Sequence, residues 1–310
     1  MKFFPHRPNI DFMGRRRLWL AISGLMIAAA VVGLFARGLN FGIDFTGGIL
    51  VEVGYPSAAK LDPIRSDLNK AGFGDAVVQY YGNTQDILIR LAPRHGATSD
   101  KIGNEVTSAL RQSNKNVQLR RVEFVGPQVG SQLVEQGALA VLYTIIGILI
   151  YVAVRFEWRF SVGAVLALIH DVTITMGFFA WSQLNFDLTA LAAVLTILGY
   201  SLNDTIVVYD RIRENFRNLR RAGPYEVVNA STNQTLSRTV MTSLMTLVVV
   251  VVLAIDGGQT IRPFSLALIV GIVVGTYSSI YIASTFALML GATRQNLVKQ
   301  PKETTQDGQP

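Results

Sequence analysis

The stretch Thr196–Arg213, TILGYSLNDTIVVYDRIR, decides the fold class because it sets two polar residues inside an apolar run. The run begins near Leu188, and Asn203 and Asp204 stand side by side within it. A carboxylate in hydrocarbon costs about 2.5–3.5 kcal/mol on insertion scales, so such a residue usually lines a pathway or meets a partner. Arg211 then marks the boundary with water. The pattern predicts a protein that moves charge, or something coupled to charge, across a membrane.

The composition also indicates a membrane protein. Half of the 310 residues are hydrophobic and 16% are charged, whereas an average soluble domain has about 25% charged residues. A bilayer-spanning helix needs roughly 20 apolar residues, and six runs approach that length. They are Leu18–Ala36, Gly137–Val154, Phe160–Trp181, Leu188–Val208, Thr239–Ile255 and Phe264–Leu290. We therefore predict six transmembrane helices.

The first run follows Arg15–Arg17 and has the charge pattern that precedes a signal-peptide core. It is longer than such a core, and the residues after it, Arg37-Gly38-Leu39, do not form a small-residue cleavage site. We expect a retained first helix.

Lysine and arginine in the short loops predict the orientation, because they are enriched on the cytoplasmic side. Cations precede the first run, flank the turn between the second and third, and follow the fourth and the sixth. They are Lys2, Arg7, Arg15–Arg17, Arg155, Arg159, Arg211, Arg213, Arg217, Arg220, Arg221, Arg294, Lys299 and Lys302. The opposite loops, Ser182–Asp187 and Asp256–Arg262, hold none and one. Both tails, 1–17 and 291–310, are predicted to be cytoplasmic, and Gln300–Pro310 is polar enough to be disordered. The net charge of +7 reflects this bias, so nucleic-acid binding is not predicted.

The segment 40–134, between the first two runs, is predicted to be a periplasmic domain. Its strands are expected at Ile49–Val53, Ala76–Tyr81, Asp86–Leu91 and Val117–Phe124, with a turn at Gly82-Asn83. Ser57 and either Thr98 or Ser99 are expected to cap two intervening helices. The order β-α-β-β-α-β is that of an α+β ferredoxin-like domain. The predicted fold is thus an all-α bundle of six transmembrane helices with this domain between helices 1 and 2. The chain contains no cysteine, so disulfides are excluded.

Catalytic patterns are missing from the outer segment. His95 is interpreted as a solvated loop residue, since it has no partner nearby in the sequence. We find no serine–histidine pairing, phosphate loop or metal-ligand spacing. The sequence therefore predicts no enzymatic activity, no cofactor and no metal, and the domain is interpreted as a binding or docking module.

Two glycine-containing segments border this domain. Phe41–Gly48, FGIDFTGG, combines glycines, an acid and two aromatic residues at the membrane surface. Its simplest interpretation is a turn in which glycines take positive φ, although it is elaborate for a linker. Val125–Gly130, VGPQVG, breaks the chain before the second run. The candidate residues of the first segment are Phe41, Gly42, Asp44, Phe45, Gly47 and Gly48.

Polar residues within the later runs are the candidate proton pathway. Helix periodicity puts Tyr200, Asn203, Asp204 and Val207 on one face, and the fifth run carries a hydroxyl stripe with a cation. The stripe is Thr235, Arg238, Thr239, Thr242, Ser243 and Thr246, and the third run contains His170 and Asp171. If these three helices are neighbours, the acids, the histidine and the arginine converge in one buried zone. Burial favours the neutral form of a carboxyl group and a nearby arginine favours the charged form, which suits a proton relay.

A static polar clamp between helices is the alternative interpretation of this zone. Asp210 is expected to form an ion pair with Arg211 or Arg213 at the boundary with water. Gly271, Gly275 and Ser279 recur every four residues in the sixth run, which permits close helix packing.

Four segments together resemble the signatures of the SecD/SecF family of protein-export membrane proteins, within the resistance-nodulation-division superfamily. They are Phe41–Gly48, Val125–Gly130, His170-Asp171 and Gly199–Asn215, GYSLNDTIVVYDRIREN. The resemblance runs from the first to the sixth run and is to the SecF members, the smaller partners of SecD.

This resemblance implies a multi-pass protein of the bacterial inner membrane that gives proton-driven assistance to polypeptide export. It implies that Asp204 and Arg238 match the family's proton-transport acid and arginine. It also implies SecD as a heterodimer partner, the SecYEG translocon, YajC and YidC as further partners, and an unfolded exported polypeptide as the molecule acted on.

Two other functions are considered beside this one. The chain could be half of a proton-driven small-molecule or lipid exporter of the same superfamily, or a scaffold whose buried charges hold a partner. The outer segment is small for a substrate vestibule, and the sequence has one six-helix unit without an internal repeat. Transporters of this architecture commonly need two halves, so a second polypeptide is expected. The choice between H⁺ and Na⁺ is left open.

Overall fold

The computed structural model describes residues 9–93 and 99–293. In chain order, its elements are α1 (Arg16–Arg37), β1 (Asn40–Phe41), α2 (Ile43–Thr46), β2 (Gly48–Gly54), α3 (Leu61–Lys70), β3 (Val77–Tyr81), β4 (Asn83–Leu91), α4 (Ser99–Ser113), β5 (Gln118–Val125), α5 (Pro127–Arg155), α6 (Trp158–Ser182), β6 (Asn185–Phe186), α7 (Leu188–Asn218), α8 (Pro224–Asp256), α9 (Gly258–Ser278), a π-helical turn (Ser279–Ala283) and α10 (Ser284–Met289).

Six helical segments are long and apolar enough to cross a membrane, which confirms the six predicted spans. They are α1, α5, α6, α7, α8, and α9 together with the π turn and α10. The predicted tail 300–310, Thr98 and His95 lie outside the described residues, so those predictions stay untested.

Helix α5 begins earlier than predicted, at Pro127 instead of Gly137. Gly126 has an extended conformation, and a proline follows at the first helical position, where its missing N–H costs no hydrogen bond. The segment from Pro127 to residue 134, assigned from the sequence to the outer domain, therefore forms the first turns of a transmembrane helix.

The fourth and fifth transmembrane helices extend well beyond the apolar runs that predicted them. Helix α7 continues to Asn218 and α8 begins at Pro224, so only a short connection separates them. The two extensions form because they have apolar faces to bury. Ile212 and Phe216 of α7 lie in one core cluster with Val227 of α8.

Between α1 and α5 lies a four-stranded antiparallel sheet in the order β3-β4-β2-β5. The buried face of the sheet packs against α3 and α4 through an apolar core that includes Val51, Ile89, Leu68 and Val106. We call residues 48–125 the sheet domain. Its strands agree with the sequence prediction to within a few residues. Ser57 was wrong as a cap, because α3 begins at Leu61 after an extended Lys60 that makes no side-chain cap.

The sheet domain is joined to the helix bundle by a short parallel pairing. Asn40 and Phe41 of β1 pair with Asn185 and Phe186 of β6, immediately before α7. Arg90 of β4 reaches across this pairing, donating to the Phe41 carbonyl at 2.5 Å and to Asn185 Oδ1 at 2.8 Å. Burial lowers the pKa of the Arg90 guanidinium from its ordinary value, but an arginine stays protonated in proteins.

At the opposite end of the bundle, residues 9–15 form what we call the N-terminal strap. Asn229 Oδ1 of α8 accepts from the main-chain N–H of Phe12 at 2.8 Å, and Asn233 Oδ1 accepts from that of Ile10 at 2.9 Å. Phe12 and Met13 are buried in the bundle core. The strap therefore ties the start of α8 to the start of α1.

We expect Gly48→Ala to destabilise the protein much more than Gly72→Ala. Both glycines have positive φ, +121° and +83°, a conformation that costs an L-residue about 1–2 kcal/mol. A Cβ at Gly48 would also lie 2.5 Å from the Leu91 carbonyl oxygen, whereas nothing lies within 4 Å of one at Gly72. Thermal unfolding of the detergent-solubilised variants measures the difference. Equal melting temperatures would show that the β2–β4 contact does not constrain this position.

Candidate functional site

Asp204 lies inside the bundle, where α7 meets α8 and α9. Its side chain is 2% exposed. Ser243 of α8 donates to Asp204 Oδ2 over a long 3.5 Å and also shares a 2.8 Å hydrogen bond with Thr276 of α9. We call these three residues the Asp204 cluster. Among the residues that the structure describes, the carboxyl group has one weak hydrogen-bond donor, which is poor compensation for a buried charge.

Arg238 and Asn203, two other predicted members of the pathway, lie on the surface of the bundle. Arg238 is close enough to Asp204 for an electrostatic interaction, yet no ion pair joins them among the described residues. The prediction that Asn203 shares a face with Asp204 was wrong, because Asn203 is exposed whereas Asp204 is buried. The helix turns by about 100° per residue, which separates the two side chains.

The hydroxyl stripe of α8 also has some members buried in the bundle and others exposed on its surface. Thr235, Thr239 and Ser243 are buried, whereas Thr242 is exposed with Arg238. Most of these hydroxyls donate to main-chain carbonyls of their own helix; Thr242, for example, donates to the Arg238 carbonyl at 3.1 Å. Ser243 is the member of the stripe that reaches a carboxylate.

Asp171 of α6 forms a second polar cluster and is completely buried. Ser201 of α7 donates to Asp171 Oδ2 at 2.5 Å, and Ser278 of α9 donates to the same atom at 2.8 Å. His170 Nδ1 lies 2.8 Å from Asp171 Oδ1. His170 Nε2 lies 2.7 Å from the Tyr277 hydroxyl, which lies 3.1 Å from Ser23 Oγ of α1. We call these six residues the Asp171 cluster.

The structure thus divides the single predicted zone into two clusters. The single zone depended on the condition that α6, α7 and α8 are neighbours. In the structure, α7 packs against α6 and α8, and α9 packs against all three. Ser279 lies beside the Asp171 cluster, sharing a 3.0 Å hydrogen bond with Thr205 Oγ1 and donating to the Ser201 carbonyl at 3.3 Å.

The small residues of the sixth span form the α7–α9 contact. A Cβ at Gly271 would overlap Ile197, and one at Gly275 would lie 3.0 Å from the Ser201 Cβ. Ser279 occupies the next position of the repeat and is completely buried. This spacing brings Ser278 of α9 within hydrogen-bond distance of Asp171.

A π-helical turn, Ser279–Ala283, interrupts the sixth span beside both clusters. The buried Tyr209 of α7 donates to the Ala283 carbonyl at 3.0 Å, which gives this carbonyl a partner. Such turns within α-helices frequently occur at functional sites. The sequence did not predict the turn.

The segment Phe41–Gly48 contacts the start of α7, which is the helix that carries Asp204. Asp44 Oδ2 accepts from the main-chain N–H of Leu188 at 3.0 Å, and Asp187 Oδ1 accepts from that of Ala190 at 2.9 Å. Two carboxylates therefore cap the first turn of α7, where unpaired N–H groups and the positive end of the helix dipole favour anions.

The aromatic and glycine residues of this segment hold Asp44 in place. Phe45 stacks on Phe186 with ring centroids 5.8 Å apart, and Phe41 meets Phe186 edge to face at 6.0 Å. The Gly42 N–H donates to the Phe186 carbonyl at 2.8 Å. Gly47 and Gly48 have φ of +67° and +121°, so the predicted turn is present. The added finding is that the turn caps a transmembrane helix.

Asp210 forms an ion pair, but not with the residues expected. Its Oδ1 lies 2.7 Å from Arg155 at the end of α5, and Arg211 pairs with Glu214 at 3.0 Å. The pair crosslinks α5 and α7 near the end of the bundle that carries the strap.

Sequence reasoning missed Ser23, Ser201, Tyr277 and Ser278. Tyr277, Ser278 and Ser279 are consecutive polar residues inside the sixth apolar run, and that interruption was the available signal. Ser201 lies one helical turn from Asp204, on the face opposite Asn203. Ser23 is a lone serine in an apolar helix and gave no signal.

Comparisons with known proteins agree with this architecture. Residues 105–293 match the family model for the C-terminal region of the protein export membrane proteins SecD/SecF, and residues 32–55 match the SecD/SecF GG motif. The second match contains the segment Phe41–Gly48.

Several relatives are similar over nearly the whole chain. The protein translocase subunit SecF of Vibrio alginolyticus is 49% identical, with 97% of this chain and 95% of that protein covered. The protein translocase subunit SecF of Pseudomonas aeruginosa is 46% identical, with 97% and 98% covered.

The crystal structure of SecDF from Thermus thermophilus, a translocon-associated membrane protein, is similar with a TM-score of 0.84 and 41% identity. The match covers 91% of this chain, and the chain spans 39% of the longer SecDF chain. On the family-model match and the relatives together, the chain belongs to the SecD/SecF family of protein-export membrane proteins.

Proposed function

We propose that this chain is the SecF-type subunit of a SecD–SecF complex that promotes Sec-dependent protein export at the bacterial inner membrane. The observation that carries the proposal is the similarity, over nearly the whole chain, to proteins named protein translocase subunit SecF. The role is one of transport assistance and not of catalysis.

We further propose that proton movement through Asp204 drives this role. The Asp204 carboxyl group lies within a transmembrane helix and is almost completely buried. Within residues 9–93 and 99–293, it has one weak hydrogen-bond donor. A structural clamp would be expected to have a full set of donors or an ion pair, as buried charges usually do. A carboxyl group without them is suited to exchange its proton.

The membrane potential supplies enough energy for such a step. One elementary charge that crosses the membrane gains about 2.3 kcal/mol per 100 mV. Since 1.36 kcal/mol corresponds to a factor of ten, one proton can shift a conformational equilibrium roughly fiftyfold.

Proton exchange at Asp204 requires two conformations, and we propose that they differ in the distance between Arg238 and Asp204. Its guanidinium is exposed on α8 and unpaired with Asp204 in the conformation described. A movement of α8 relative to α7 would bring it to the carboxylate and stabilise the charged form. Asn203 is assigned to this proposed pathway, and His170 and Asp171, which lie in the neighbouring Asp171 cluster, are proposed as further proton-carrying residues.

The capped start of α7 would transmit a movement of this helix to the sheet domain. Asp204 and the Asp44–Leu188 contact lie on the same helix, and a helix transmits an axial shift along its length. The parallel pairing of β1 with β6 and the Arg90 contacts then connect this end of α7 to the sheet. A proton bound in the bundle can thereby bias the position of the sheet domain.

We also propose a membrane orientation for the chain and a fold type for its sheet domain. The strand order β3-β4-β2-β5, with two helices on one face, supports a ferredoxin-like domain, which we place in the periplasm. The residues at both ends of the chain, including the strap, are placed in the cytoplasm on the distribution of lysine and arginine.

A partner is needed to cover a polar face of the bundle. Exposed polar side chains lie along adjacent parts of α7 and α8, and they are Thr196, Asn203, Gln234, Arg238 and Thr242. Polar groups that face lipid are unfavourable, so a second membrane protein should cover them. We propose SecD as this heterodimer partner, with the SecYEG translocon, YajC, YidC and the unfolded polypeptide as further partners.

Asp204→Asn should abolish proton flux and export stimulation while the complex assembles normally, because an amide keeps the size of the side chain but does not titrate. Proton uptake by membrane vesicles and the export rate of a secreted reporter measure both. Asp210→Asn, which removes an ion pair near the end of the bundle, is the control and should lose much less. Wild-type export by Asp204→Asn with an intact membrane potential would show that the acid is structural.

Purification in a mild detergent should recover a longer membrane protein of the same family, bound in equal amount. Asn203→Leu and Thr196→Leu together should weaken this association, because they remove polar contacts from the exposed face. The double substitution Leu142→Ala and Tyr143→Ala, on the exposed side of α5, is the matched control. A monodisperse single chain that stimulates export by itself would contradict the partnership.

Cysteine labelling tests the orientation on a background free of native cysteine. Lys115→Cys, on the sheet domain, should react with an impermeant thiol reagent in intact spheroplasts. Arg220→Cys, in the connection between α7 and α8, should react only after the membrane is opened. The reverse pattern would overturn the proposed orientation.

A further inference from the structure

The Asp171 cluster reaches α1 and α6, which the Asp204 cluster does not. From Ser23 on α1, hydrogen-bond distances run unbroken through Tyr277 on α9 to His170 and Asp171 on α6. We propose that Ser23, Tyr277, His170 and Asp171 form a second proton-transfer path, leading from the centre of the bundle to α1. This inference deepens the proposed proton coupling and rests on it.

Each group in the path can act as donor and as acceptor, which is what proton transfer requires. When Asp171 is ionised, His170 donates from Nδ1 to the carboxylate and accepts at Nε2 from the Tyr277 hydroxyl. Tyr277 in turn accepts from Ser23. Hydroxyl groups and neutral imidazole both permit this arrangement.

One proton added at Ser23 reverses the direction of every hydrogen bond along the path. Ser23 passes its hydroxyl proton to Tyr277, Tyr277 passes its own to His170 Nε2, and His170 passes the Nδ1 proton to Asp171. Each O–H or N–H bond that breaks is replaced by one on the next atom, so Ser23 ends with the added proton and Asp171 ends protonated. His170 returns to a neutral tautomer, and no charge is left on the path.

The surroundings of Asp171 are suited to holding either form. Ser201 on α7 and Ser278 on α9 donate to one oxygen and His170 occupies the other. Among the described residues, His170 is the titratable side chain bonded to Asp171, and no lysine, arginine or second acid is bonded to the path. A permanent counter-ion would fix the charge of the carboxylate and stop the transfer.

An aromatic stack closes the α1 end of the path. Trp19 lies one turn before Ser23 on α1, and its ring is 4.8 Å from that of Tyr281 and 5.7 Å from that of Tyr277. Phe12 of the strap meets Tyr281 edge to face at 5.8 Å. Ser23 itself is 3% exposed. In this conformation, the stack separates the path from water at the strap end of the bundle.

Tyr277→Phe and Ser23→Ala, made in the full chain within its membrane complex, test the path. Each removes one hydroxyl group and keeps the remaining packing. Proton flux into membrane vesicles should fall at least about tenfold in each, since positioned proton-transfer groups contribute roughly a hundredfold or more. Ser23→Thr restores a hydroxyl group and should retain the flux. Complex recovery and melting temperature should stay at wild-type values.

Ser265→Ala is the matched control, because Ser265 is a buried serine on α9 whose hydroxyl donates to the main chain of its own helix. Its flux should equal that of the wild type. Wild-type flux in both Tyr277→Phe and Ser23→Ala would overturn the path. A parallel Asp204→Asn variant separates that result from failure of the proposed coupling: loss of flux in Asp204→Asn alone rejects only the path, whereas wild-type flux in all three variants rejects the coupling as well.

Discussion

The close approach of α9 to α7 is the constraint on which the polar interior depends. Gly271 and Gly275 leave no side chain between the helices, so Ile197 and Ser201 rest against the backbone of α9. The same approach brings Ser278 to Asp171 and Ser279 to Thr205. Between helices in a bilayer, association depends on such van der Waals contact and on interhelical hydrogen bonds. A larger residue at either glycine would therefore separate the helices and remove donors from a completely buried carboxyl group.

Helix α7 connects the two parts of the molecule because it takes part in both. Its middle carries Ser201 and Asp204, one for each polar cluster, and its first turn is capped by Asp44 and Asp187. Asp44 belongs to the turn that leads into the sheet domain, so this one residue joins the sheet domain to the start of α7. A shift of α7 that broke the Asp44 contact would remove the partner of the Leu188 N–H. We therefore expect the sheet domain to move together with α7 when the helix shifts.

The transmembrane spans and the sheet could be predicted from the sequence because each produces a strong pattern in neighbouring residues. Hydrophobic length specifies a transmembrane helix, and alternation specified strands such as β4, where Ile87 and Ile89 face the core. Hydropathy does not specify which helices touch, so the packing of α9 against α6, α7 and α8 could not be predicted. The ends of α7 and α8 were missed because length arguments stop at the membrane surface. Their apolar residues Ile212, Phe216 and Val227 did carry a helical pattern that continues past it.

The N-terminal strap is recognised through its main chain, and this affects how its sequence can evolve. Asn229 and Asn233 bind backbone N–H and C=O groups of Ile10 and Phe12, which any residue other than proline can supply. Substitution of the exposed Ile10 leaves these bonds intact, whereas an insertion between the strap and α1 would displace the buried anchors Phe12 and Met13. Natural variation in this segment should therefore preserve its length and its two anchors while the other side chains drift.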